Sequence, residues 1–128
     1  MLFKKRPTER QRKGRDSERL AVAYLQRHGY DIRANNVRYP VGEIDILAQD
    51  GPALCFVEVR ARHSTGFGPA ADSITARKRQ RLIRAARWYL NRLREQPALV
   101  RFDVVAIDWQ ADGSPAIQLI RSAFDASP

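Results

Sequence analysis

Apolar and polar positions alternate along this chain with two different periods, and the changes of period mark its elements. Between Asp16 and Gly29, Leu20, Ala21, Tyr24 and Leu25 fall three and four apart, the spacing of one helical face. Asp16 or Ser17 can cap the start of such a helix, and Gly29 suits its end. Tyr30-Asp31-Ile32 opens a strand, with Asn35-Asn36 as a break or bulge. Two strongly alternating runs follow, Gly42 to Ala48 and Leu54 to Arg60, separated by Gln49-Asp50-Gly51-Pro52. Asp-Gly between alternating runs predicts a β-hairpin, because Gly accepts the positive φ that the turn demands. Residues 63–69 read as a flexible loop by composition. A second helix is predicted from about Ser73 to Leu93, with Leu82, Ala85, Ala86, Tyr89 and Leu93 on one stripe. Val100 to Ile107 is a strand, Asp112-Gly113 a turn, and Ala116 to Ile120 a last short strand.

The resulting order is helix, three strands, helix, two strands, which predicts one α/β domain over residues 15–128 with a central mixed sheet flanked by helices. The crossover from residues 54–60 to 100–107 through a helix predicts that those two strands are parallel. Residues 1–14 are polar, basic and without apolar periodicity, and read as a flexible arm.

Charges inside the hairpin change the picture. Glu43 and Asp45 sit in the first run and Glu58 and Arg60 in the second, where burying charge without a purpose is costly. A two-residue turn on Asp50-Gly51 pairs Asp45 with Phe56 and Glu43 with Glu58. Asp45 and Glu58 are then diagonal neighbours on one face, roughly 7–8 Å apart at Cα. A one-residue slip would separate them, whereas a wider loop of the same parity keeps them together. Leu47, Leu54 and Phe56 share that face, so it is partly buried. Two such carboxylates repel unless a cation lies between them, and a divalent metal with oxygen ligands fits that gap. A solvated polar face of an ordinary hairpin is the alternative.

Composition then bounds partner and metal. With 44% hydrophobic residues and no apolar run of membrane-spanning length, the chain reads as soluble. The single cysteine, Cys55, lies in an apolar strand on the face opposite Glu58, and a cytoplasmic setting is the simplest for it. Two histidines and one cysteine do not make a zinc site. Any metal must be held mainly by carboxylates, which favours Mg²⁺ or Mn²⁺. The net charge of +9 is unevenly placed. Residues 1–19 carry eight cations against three acids, and residues 77–94 carry eight cations and no acid. Such asymmetry points to a polyanion, of which nucleic acid is the commonest; a solubilising surface or an anionic-lipid contact are the alternatives. Arg62, Arg77, Lys78, Arg81 and Arg84 are the candidate phosphate contacts. Tyr39, Phe67 and Trp88 can stack on bases or wedge a branch point, although Trp88 beside Tyr89 also reads as a rim or core residue.

Gly42-Glu43-Ile44-Asp45, Phe56-Val57-Glu58-Val59-Arg60-Ala61-Arg62, Lys78 in a basic helix and Arg101-Phe102-Asp103-Val104-Val105 together resemble the YraN-like bacterial family. The resemblance runs in order from about Gly14 to Phe124. It implies a restriction-endonuclease-like fold, similar to that of archaeal Holliday-junction resolvases, within the PD-(D/E)XK nuclease superfamily. It further implies that Glu18 matches the acid of the first helix, Asp45 the strand aspartate and Glu58 the glutamate of E-x-K. Glu18, Asp45, Glu58 and the Val59 carbonyl would then hold Mg²⁺ or Mn²⁺. The superfamily's lysine is Arg60 here. Arginine stays charged and cannot act as a general base, although it can hold a phosphate or the attacking water electrostatically. Lys78 is the nearest candidate for a lysine pointing into the site.

Two functions follow as expectations. One is a metal-dependent DNA endonuclease for branched or structured DNA, with a homodimer and a substrate gate at loop 63–69 as further expectations. The other is a catalytically inactive nucleic-acid-binding protein on a nuclease fold. Glu43 has no distinct role in either.

Overall fold

The computed structural model describes residues 8–63 and 68–126. Most of the basic arm's tip and the heart of the proposed gate, including Phe67, lie outside them. The elements are α1 (Glu9–Arg27), β1 (Asp31–Tyr39), β2 (Gly42–Asp50), β3 (Ala53–His63), a 3₁₀ turn (Ala70–Ser73), α2 (Ala76–Leu90), β4 (Leu99–Trp109) and β5 (Pro115–Phe124). The five strands form one mixed sheet in chain order, antiparallel except for the parallel pair β3–β4. The α/β fold with a central mixed sheet and flanking helices is therefore present.

Alternation in the strands sorts the core into two layers. On one face Ala21 and Leu25 of α1 pack on Ile46, Ala48, Cys55, Val57, Val105 and Ile107. On the other, Leu82, Ala85 and Ala86 of α2 pack on Leu47, Leu54, Phe56 and Phe102. Cys55 and Glu58 do lie on opposite faces. α1 ends at Gly29 in a Schellman arrangement, with Gly29 N–H on the Gln26 carbonyl at 3.1 Å and Tyr30 N–H on the Leu25 carbonyl at 3.0 Å. α2 starts after Thr75, whose hydroxyl accepts the Lys78 N–H at 3.2 Å.

Several boundaries differ from the sequence expectation. α1 begins at Glu9, not at Asp16 or Ser17, so residues 9–14 are helical. Glu, Arg, Gln and Lys are good helix formers, and they extend the helix without needing an apolar stripe. The second helix is shorter than expected, starting at Ala76 after a 3₁₀ turn that ends at Ser73, and ending at Leu90 instead of Leu93. Asn36 does not break β1; it takes φ 53 inside the strand, a left-handed conformation that Asn tolerates.

The hairpin turn also moves. Asp50 pairs with Ala53 and Leu47 with Phe56, so the turn is Gly51-Pro52, with Gly51 at φ 55. A turn on Asp50-Gly51 would have placed Pro52 in the ladder opposite Gln49, where it has no N–H to give. The turn moves by one residue and the pairing register therefore by two, so face parity survives.

Gly42 is the point where α2 is seated on the sheet. A Cβ there would collide with the Arg81 carbonyl of α2. Gly42→Ala should therefore push α2 away and cost about 1–3 kcal/mol in denaturant unfolding, as overpacking does. Ala at Gly14, where no neighbour lies within 4 Å, should cost nothing comparable.

Candidate active site

Continuing the β2–β3 register one residue beyond Ile46–Val57 sets Asp45 opposite Glu58, directly across instead of on the expected diagonal. The ladder stops there because the Asp45 side chain enters it. Its Oδ2 accepts the Val59 N–H at 2.9 Å. β1 distorts at the same level: Asn35 pairs with Ile46 and Val37 with Ile44, leaving left-handed Asn36 abreast of Asp45.

Asp45 lies between two clefts. The one beneath α2 is lined by Glu43, Asp45, Glu58, Lys78, Arg81 and Leu82, and holds about 90 Å³. That volume takes several waters but falls far below the roughly 300–1,000 Å³ of pockets that enclose small molecules. The cleft beside α1 is lined by Gly14, Arg15, Glu18, Asn36, Arg38, Asp45 and Val59. Glu18 stands in the second cleft and is held there by Asn36, whose Nδ2 donates to Glu18 Oε2 at 2.8 Å.

Electrostatics at the pair are unfavourable to two negative charges. Burial pushes the Asp45 carboxyl up to about 6, against the Val59 hydrogen bond that lowers it and with Glu43 and Glu18 adding to the rise. Burial first and the Asp45 charge second push Glu58 up to about 8, against the opposing charges of Arg60 and Lys78. The two carboxyls titrate as one unit that holds a proton near neutral pH.

Two cations approach Glu58 differently. Arg60 Nη1 lies 3.6 Å from Glu58 Oε1, while its Nε donates to Ser73 Oγ at 2.9 Å. Buried Ser73 donates in turn to the Ala70 carbonyl at 2.6 Å, and the Ala70 N–H is held by Asp108 at 2.7 Å. Lys78 reaches the pocket itself, with Nζ 3.4 Å from the Ser73 carbonyl. Loss of solvation and then the Arg60 charge hold its ammonium below the ordinary range. Arg62 is near enough for its charge to act on Lys78, and Arg77, Arg81 and Arg84 are exposed along α2.

The expected residues Asp45, Glu58, Lys78 and Arg81 thus line one pocket, with Arg60 against Glu58 and Glu18 in the cleft on the other side of Asp45. Among the described residues no three His, Cys, Asp or Glu side chains converge into a complete metal cage. The pair still fits a hydrated divalent cation. Mg²⁺ is usually held by one or two carboxylates plus waters and substrate phosphates, and a cation would offset the neighbouring charges, Glu43 and Glu18 on Asp45 and Asp45 on Glu58, that add to burial in raising the two carboxyls. Sequence reasoning missed Asn36 and Ser73. Asn36 was legible only as a bulge, and nothing local marks Ser73 as the anchor of two cations.

Residues 17–107 match the profile described as uncharacterised protein family UPF0102. A UPF0102 protein of Desulfosudis oleivorans is 44% identical over 93% of this chain and 94% of its own. One from Symbiobacterium thermophilum is 44% identical over 90% of this chain and 98% of its own. A third, from Pseudomonas fluorescens, is 43% identical over 91% and 95%. The chain belongs to the UPF0102 family, the YraN-like group that its motifs resemble.

Proposed function

We propose that this protein is a Mg²⁺- or Mn²⁺-dependent DNA endonuclease that hydrolyses phosphodiesters in branched or structured DNA. The observation that carries the reading is the opposed pair Asp45–Glu58, half-buried and with both carboxyls raised chiefly by burial, beneath a helix whose Lys78 and Arg81 face it. A shallow pocket edged by cations suits a phosphate on a large polyanion better than an enclosed small molecule.

Asp45 and Glu58 would hold the metal, with the Val59 carbonyl, and Glu18 would orient the shell from the α1 side. A bound Mg²⁺ or Mn²⁺ supplies a water of lowered pKa and stabilises charge developing on phosphorus. Lys78 and Arg60 position the scissile phosphate and offset its charge. Arg62, Arg77, Arg81 and Arg84 add sequence-indifferent, salt-sensitive affinity. A homodimer would present two such sites to a four-way junction, and buried, free Cys55 suits a cytoplasmic setting.

The test is at the cations. Lys78→Met should lower kcat by about a hundredfold, and Lys78→Arg should restore most of it if charge is what matters. Arg60→Lys should stay within about tenfold of wild type, because a lysine there loses the bidentate reach to Ser73 and Glu58 but keeps the charge. One observation favours a second reading, a catalytically silent nucleic-acid-binding protein: the cation in the lysine position is an arginine tied down by Ser73. A large gain of cleavage in Arg60→Lys would support that reading.

A further inference from the structure

The α2 residues facing the carboxylate pocket continue as a stripe towards the β1–β2 turn. At 100° per residue, Arg77, Arg81, Arg84, Trp88 and Arg92 share one flank of α2 and its extension. At the far end the Arg92 guanidinium lies over the Trp88 indole, 4.0 Å from its centroid, and its Nη1 donates to the Trp88 carbonyl at 2.9 Å. The Tyr39 ring, at the end of β1, stands 6.0 Å from Trp88 at a tilt of 38°. Beyond Tyr39, Val41 projects from the turn and is 37% exposed. Among the described residues the other exposed large apolar side chains are Leu99 and Val100, at the opposite end of the sheet beside the β2–β3 turn. An aromatic and guanidinium surface with an apolar tip, on a cationic track leading to a phosphodiester site, has the chemistry of a base-stacking platform.

We propose that the β1–β2 turn and the Trp88–Arg92 pair form a docking site for an unpaired nucleobase. The inference rests on the nuclease reading above and narrows its substrate. Arg81 and Trp88 are about 10 Å apart along the helix, or about three stacked bases at 3.4 Å each. The favoured nucleic acid therefore carries a single-stranded stretch or a branch within about three nucleotides of the phosphate held at Asp45–Glu58.

Fluorescence anisotropy in EDTA at low salt tests this apart from cleavage. The probes are a forked duplex, the same fork with an abasic arm, and a blunt duplex. The wild type should bind the fork at least about tenfold tighter than either control. Trp88→Ala should lose between about five- and a hundredfold on the fork while blunt-duplex binding stays within about twofold. Equal binding of intact and abasic forks by the wild type overturns the proposal, as does a folded Trp88→Ala that keeps the preference. If Trp88→Ala does not fold, the exposed-residue variants Val41→Ser and Arg92→Gln decide on the same criterion. Variants that change sedimentation but not fork preference would mark a protein–protein surface and also overturn it. Binding of nucleic acid without discrimination sinks only this inference, whereas no binding of any probe sinks the nuclease reading with it.

Discussion

Asp103→Ala should destabilise this protein by about 3–5 kcal/mol, a third or more of what a domain of this size usually has. Asp103 is fully buried on β4. Its oxygens accept from Tyr30 Oη at 2.7 Å, from Arg101 Nε at 2.9 Å and from the Ser122 N–H at 3.0 Å. Arg101 Nη2 also donates to Asp50 at 2.6 Å, so the network ties β4 to β1, β5 and the β2–β3 turn. Removing the carboxylate leaves the Tyr30 hydroxyl and the Ser122 N–H without their acceptor and takes one carboxylate from the Arg101 guanidinium. In thermal unfolding the loss should appear as a fall on the order of 10–20 °C. The double variant Asp103→Leu with Arg101→Met should recover part of it, because no charge is then left buried and unpaired.

The same network sets the acid limit. Burial alone would raise Asp103, but the hydrogen bonds from Arg101, Tyr30 and Ser122 outweigh it and hold the carboxyl below the ordinary range. A depressed folded-state pKa gives stability that is present above the unfolded value of about 3.9 and lost as pH falls through the folded one. The wild type should therefore lose stability below about pH 4, and the double variant should lose less there.

The metal-free carboxylate pair acts in the opposite direction. Asp45 and Glu58 are raised to about 6 and about 8, so between their unfolded values and pH 8 the folded state holds more protons than the unfolded one. Stability then falls as pH rises through that window. Glu58→Gln removes the like-charge clash and should make the metal-free protein more stable at pH 8, by about 1–2 kcal/mol. It should also lower metal-dependent cleavage by at least about a hundredfold. Gaining stability while losing activity is the signature of a site strained for function. Urea titrations at pH 6 and pH 8, in EDTA and in Mg²⁺, check it. The expected result is a metal-induced gain that is larger at pH 8 and absent from Glu58→Gln. A Glu58→Gln variant less stable than wild type at pH 8 would show that the glutamate is an ordinary structural side chain.

Much of this was legible in the sequence because the relevant spacing is local. Alternation in residues 42–60 assigned Asp45 and Glu58 to one face, and a two-residue change of register could not undo that. Pro52 carried the correct register all along, since it has no N–H for a ladder position. The start of α1 was hidden because residues 9–14 are charged, polar or Gly and carry no apolar period to reveal a helix. The Tyr30–Arg101–Asp103–Asp50 network joins residues up to 73 positions apart, so no window of sequence contains it. Asn36 and Ser73 were missed for the same reason: each matters through a partner elsewhere in the chain, Glu18 for one and Arg60 for the other.

The most direct test of the central claim is cleavage of labelled four-way junction, forked, single-stranded and linear duplex DNA with Mg²⁺, Mn²⁺ or EDTA, comparing wild type with Asp45→Asn and Glu58→Gln. The opposed carboxylates predict metal-dependent cutting of a branched or forked substrate that both substitutions abolish. Tight, salt-sensitive binding with no cutting in either metal, or cutting that survives both substitutions, would contradict it.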